Sequence, residues 1–137
     1  MYLVPEPPLQ AARALAGSSV IHAAMDLSDG LGSDVRRLGE WSSVGTVIRA
    51  GGLPISASVR RLAEALELDV ASVALYGGED YQLLVAVQGS ELETAKRVAD
   101  PVPLTVVGEV TGTSGEFVLE GPRGRREPLR DEGWRHF

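Results

Sequence analysis

Apolar positions along this chain recur in two rhythms, and their alternation sets out interleaved helices and strands. Val59, Leu62, Ala63 and Leu66 fall at i, i+3, i+4 and i+7, while Arg60, Arg61 and Glu64 face away, which predicts an amphipathic helix over residues 56–66. Leu31, Val35 and Leu38 keep the same period between Asp29 and Trp41. An alanine-rich helix is expected from Leu9 to Ala16, closed by Gly17. Ser90 and Glu93 have the spacing of a capping box for a helix ending near Ala99. Val70 to Tyr76 is read as a short helix leading into Gly77-Gly78.

The remaining apolar runs are short. Val20 to Met25 ends at Asp26 and reads as a buried strand, with His22 a structural residue inside it. Gly45 to Ala50 contains β-branched Val47 and Ile48 and is broken by Gly51-Gly52. Tyr81 to Val87 is apolar except for Gln82, as in a strand covered on both faces. Leu104 to Val110 and Glu116 to Glu120 are expected as strands joined in a hairpin through Gly112 to Gly115. Residues 1–8 carry three prolines and suit a linker or an arm. The expectation is one domain over residues 1–137, of mixed α/β (α+β) type, in which a mixed β-sheet of about five strands is covered by about four helices.

Composition narrows the function. The chain of 137 residues is 44% hydrophobic and can bury a core. It has no cysteine, which excludes disulfides, thiolate metal sites and cysteine nucleophiles. No apolar run approaches a membrane span, and the start has no signal-peptide pattern, so a cytoplasmic protein without a membrane partner is expected. A net charge of −6 argues against nucleic acid as a partner. The arginine-dense stretch Arg123, Arg125, Arg126 and Arg130 is interrupted by Glu127 and reads as a solvated loop or strand edge.

Two clusters carry chemistry. Asp26-Leu27-Ser28-Asp29-Gly30-Leu31 puts two carboxylates and a hydroxyl at the end of one predicted strand, just before a helix. That is the usual ligand crevice of an open α/β sheet, and carboxylate oxygens suit Mg²⁺. Asp and Ser are equally common helix caps, so spacing alone leaves both readings open. Gly77-Gly78-Glu79-Asp80-Tyr81 combines a tight turn with two acids. Alone it reads as a solvated turn. There is no phosphate-loop lysine motif and no GxGxxG, and His22 and His136 are too isolated to form a metal pair.

Together the clusters resemble the signatures of thiamine-monophosphate kinase: Ala24 to Leu31 followed by Asp34-Val35, then Gly77 to Leu84. Leu53-Pro54, Gly108 to Thr111 and Gly133 to Phe137 follow in the family's order. Gln82, Ser43 and Val35 depart from its usual residues. The resemblance implies the fold of the C-terminal domain shared with aminoimidazole ribonucleotide synthase, with the N-terminal ATP- and Mg²⁺-binding domain absent. It implies transfer of the ATP γ-phosphoryl group to thiamine monophosphate, with Mg²⁺ required and a homodimer as the usual assembly. Asp26 and Asp29 match Mg²⁺ positions, Ser28 an ATP position, Glu79 a substrate position and Trp134 an aromatic position near the thiamine. No catalytic side chain is implied. The competing expectations are another ATP-dependent enzyme of that superfamily, or a noncatalytic binding or dimerisation module.

Overall fold

The computed structural model describes residues 6–130. In chain order these form α1 (Leu9–Ala16), β1 (Ile21–Asp26), α2 (Leu31–Trp41), β2 (Gly45–Arg49), α3 (Ala57–Ala65), α4 (Val70–Tyr76) and β3 (Leu83–Val87), followed by α5 (Leu92–Ala99), β4 (Gly108–Thr111), β5 (Phe117–Glu120) and β6 (Arg126–Pro128). Mixed sheets and helices are thus both present, as expected.

The strands divide between two sheets: an antiparallel β1–β3 pair and a four-stranded sheet in the order β4-β2-β5-β6. β2 lies between β4, which is antiparallel to it, and β5, which is parallel. Thr46, Val47 and Ile48 are accordingly buried. The hairpin expected between the strands at 104–110 and 116–120 is therefore not formed. β2 separates them, and β5 makes its antiparallel pairing with β6 instead. β6 is an edge strand, which fits the solvated reading of the arginine-rich stretch.

Two apolar clusters hold these layers. Leu31, Val35, Ile48, Leu53, Leu75, Phe117 and Leu129 form the first, between α2, α4 and the four-stranded sheet. The second joins Ala11 and Leu15 of α1 to Ala95 and Ala99 of α5. β3 serves both: Leu83, Val85 and Val87 pack on the second cluster and Leu84 on the first. That double duty explains the nearly unbroken apolar run of β3.

Other local expectations are corrected. β1 is not wholly buried: its burial alternates, leaving His22, Ala24 and Asp26 exposed. His22 lies 3.5 Å from Glu91 at the surface. The apolar stripe of α3 is largely uncovered, with Ala63 buried but Leu62 59% and Leu66 58% exposed. The helix itself is capped by Ser56, whose hydroxyl accepts the Val59 N–H. The Ser90–Glu93 capping box does not form. A 3₁₀ turn over Gly89–Glu91 carries the chain in, and α5 begins after Glu91 with no side-chain cap.

Candidate functional site

The two acidic motifs meet. Beyond the last register pair of β1 and β3, Asp26 opposite Leu83, the strands continue to exchange backbone hydrogen bonds irregularly. The Leu27 N–H donates to the Gln82 carbonyl (2.9 Å), and the Tyr81 N–H to the Leu27 carbonyl (2.8 Å). The Glu79 N–H then donates to the Ser28 carbonyl (2.8 Å). Residues 26–29 and 79–82 are thereby stitched into one loop pair at the C-terminal end of β1.

The second motif is held in an unusual conformation. Gly78, Glu79 and Tyr81 all have positive φ, at 64°, 59° and 49°. For the two non-glycine residues this left-handed region costs about 1–2 kcal/mol each. Three cross-motif backbone bonds hold the turn against that cost.

The turn at 28–30 is organised by Asp34, which is fully buried. Its Oδ2 accepts the backbone N–H groups of Ser28 (2.9 Å) and Asp29 (3.1 Å). Its Oδ1 accepts from Arg37 at 3.0 Å. Burial pushes the Asp34 carboxyl above its ordinary value. The two backbone donors and Arg37 act against that shift, and the neighbouring Asp29 charge adds to it. Asp34 thus ties down the turn ahead of α2, and neither Ser28 nor Asp29 caps the helix. α2 is preceded by Gly30, with no side-chain cap. Gly30 has φ 105°, and a Cβ there would lie 2.8 Å from the Leu75 carbonyl oxygen, so only glycine fits.

This arrangement leaves the predicted site residues differently engaged. Asp26 is exposed, and its carboxylate makes no hydrogen bond or ion pair among the described residues, although its charge acts on Arg37. The Ser28 hydroxyl is likewise unpaired among them, its backbone alone being used. Asp29 is three-quarters buried and bonded through Oδ2 to Arg37 at 2.6 Å. Glu79 is exposed and joined to Ser28 through its backbone. Trp134 and the Gly133–Phe137 motif lie outside the described residues.

Asp26 and Asp29 offer only oxygen, which fits a hard divalent cation. They amount to part of a shell. Among the described residues no three or more His, Cys, Asp or Glu side chains group as a metal site. Two functional residues escaped the sequence reading. Asp34 stood inside the quoted motif without a role, and Arg37 was passed over although it lies at helical i,i+3 spacing from Asp34.

Comparison with known proteins agrees with the motifs. No family model matches the chain. Curated thiamine-monophosphate kinases do. That of Halobacterium salinarum is 35% identical over 130 residues, which is 95% of this chain and 41% of the relative. That of Methanopyrus kandleri is 32% identical over 123 residues, covering 90% and 38%. The chain spans about two-fifths of the length of the curated relatives it matches. Among solved structures, AaThiL complexed with AMPPCP and TMP superposes with a TM-score of 0.69 at 31% identity, covering 87% of this chain and 35% of that one. The hydrogenase maturation protein HypE of E. coli superposes at 0.73 with 23% identity, covering 88% and 38%, and shows the fold alone. The aminoimidazole ribonucleotide synthase-like fold and the kinase resemblance over about nine-tenths of the chain are both borne out. Among the described residues no helix is long and apolar enough to cross a membrane.

Proposed function

We propose that this chain is the C-terminal domain of a thiamine-monophosphate kinase, which transfers the γ-phosphoryl group of ATP to thiamine monophosphate and yields thiamine diphosphate. The observation that carries the reading is the Glu79–Ser28 backbone bond, which joins two motifs that are separate in sequence into one acidic loop pair. Similarity to thiamine-monophosphate kinases along most of the chain supports it.

In this reading Asp26 and Asp29 hold Mg²⁺ against the nucleotide phosphates, and the Ser28 hydroxyl meets a phosphate oxygen. Bound Mg²⁺ supplies charge neutralisation between two anionic reactants. Glu79 and Trp134 face the cationic thiazolium, the ring of Trp134 offering a cation–π surface. The remaining ATP and Mg²⁺ ligands lie outside these 137 residues, which span about two-fifths of the relatives' length, so these residues by themselves are inactive. The complete enzyme is a cytoplasmic homodimer.

The test follows backbone amide shifts of the labelled chain with Mg²⁺, AMPPCP and thiamine monophosphate. Shifts confined to residues 26–31 and 78–82, lost in Asp26→Asn, are expected. No movement at either motif with all three present would overturn the reading. Thiamine diphosphate formation by the chain alone would overturn the two-domain part of it.

A further inference from the structure

Arg37 reaches two carboxylates at once. Its Nη2 donates to Asp29 Oδ2 at 2.6 Å and its Nη1 to Asp34 Oδ1 at 3.0 Å. The two partners differ in freedom. The Asp34 side chain has no exposure, whereas the Asp29 and Arg37 side chains are 25% and 40% exposed. Asp34 is also fixed by the two backbone N–H groups of the turn. The guanidinium is therefore anchored on its Asp34 side and open on its Asp29 side.

We infer that Arg37 is a built-in competitor of the divalent cation for the Asp29 carboxylate, and so sets how tightly the acidic turn holds that cation. This deepens the proposed Mg²⁺ role of Asp26 and Asp29 and rests on it. An arginine fork and a hard cation seek the same oxygens, but a guanidinium is permanently charged and cannot vacate the site by losing a proton. A cation arriving at Asp29 must share the carboxylate with Arg37 or take its place there. Because Asp34 retains the guanidinium, its positive charge stays within a few ångströms of the cation and lowers the affinity. Arg37 is thus a positioning residue whose effect passes through Asp29.

The experiment titrates Mg²⁺ into the labelled chain and into Arg37→Gln, reading amide shifts at residues 26–31. The wild-type titration also follows the Arg37 side-chain N–H signals. Binding about ten-fold tighter in Arg37→Gln is expected, the size of one unit charge acting through a partly solvated medium. The wild-type Arg37 signals should move with the same midpoint as the Asp29 amide. Equal affinity in the two proteins, weaker binding in the variant, or static Arg37 signals would overturn the competition while leaving the Mg²⁺ reading intact. Absence of binding in both would overturn both. Should Arg37→Gln fail to fold, Asp34→Asn/Arg37→Gln removes the buried charge along with its counter-ion. A negative and a positive charge then leave together, so the tightening expected there comes from the freed Asp29 oxygen alone and is smaller than about ten-fold. Equal or weaker binding would overturn the competition.

Discussion

The backbone N–H of Glu79 donates to the carbonyl of Ser28 at 2.8 Å, joining residues 51 positions apart in sequence. Neither acidic motif is a site by itself: one is a strand end and the other a strained turn. The bond makes each motif part of the other's support. Changes in the loop around Ser28 should therefore be felt at Glu79, without any side-chain contact between them.

Asp34 is the first place to test that support. Asp34→Ala removes the acceptor of two backbone N–H groups and the anchor of Arg37 from a fully buried position. A loss of about 3 kcal/mol in urea denaturation is expected, within the range for breaking a buried charged pair. Amide shifts should extend from Ser28 across to Glu79. A loss below about 1 kcal/mol would mean that water replaces the carboxylate there.

Gly30 makes a steric prediction. With φ 105° and the Leu75 carbonyl oxygen 2.8 Å from any Cβ, Gly30→Ala must shift the start of α2 away from α4. The expected cost is about 2 kcal/mol or more, with heat denaturation as the readout. Gly51→Ala is the control, since a Cβ there meets nothing within 4 Å, and it should be close to neutral.

How much of this was legible depends on how local each feature is. The bounds of α1 and the doubly covered run of β3 follow from neighbours within a few residues and are legible in the sequence, although β3 begins at Leu83 and not at Tyr81, which the turn takes. The pairing of β4 and β5 with β2 rather than with each other is a choice between distant partners, which the glycines between them do not encode. Asp34 looked like one more acid in a helix, because what distinguishes it is the direction of its carboxylate, back towards Ser28 and Asp29. Spacing singles out Asp26 and Asp29 as a pair, but it does not encode that Arg37 grips Asp29 while Asp26 makes no hydrogen bond or ion pair among the described residues.

Two carboxyls should pull the pH dependence of stability in opposite directions. Burial raises Asp34 above its unfolded-state value, so its contribution is fully present below that value and is lost as pH rises through the folded one. Asp69 caps α4, and its hydrogen bonds from the Ser72 side chain and backbone hold it low. Its contribution is present above the unfolded value and lost as pH falls through the folded one. Urea midpoints across the carboxylate range should show the stabilising advantage of wild type over Asp69→Ala growing with pH to about 1 kcal/mol, a typical cap. The decline with rising pH that belongs to Asp34 should be missing in Asp34→Asn.

Glu79 separates side chain from backbone. Its φ of 59° suits glycine better than any L-residue with a Cβ, yet the proposed substrate contact needs its carboxylate. Glu79→Gly and Glu79→Ala both remove the carboxylate but differ in backbone freedom. Glycine meets no penalty in the left-handed region, whereas alanine retains it, so Glu79→Gly should be the more stable of the two by about 1 kcal/mol. If the carboxylate faces the thiazolium, both variants should lose the thiamine monophosphate shifts at residues 78–82 equally, whatever their stability. Binding that follows stability instead, stronger in Glu79→Gly than in Glu79→Ala, would assign Glu79 to holding the turn and remove it from substrate recognition.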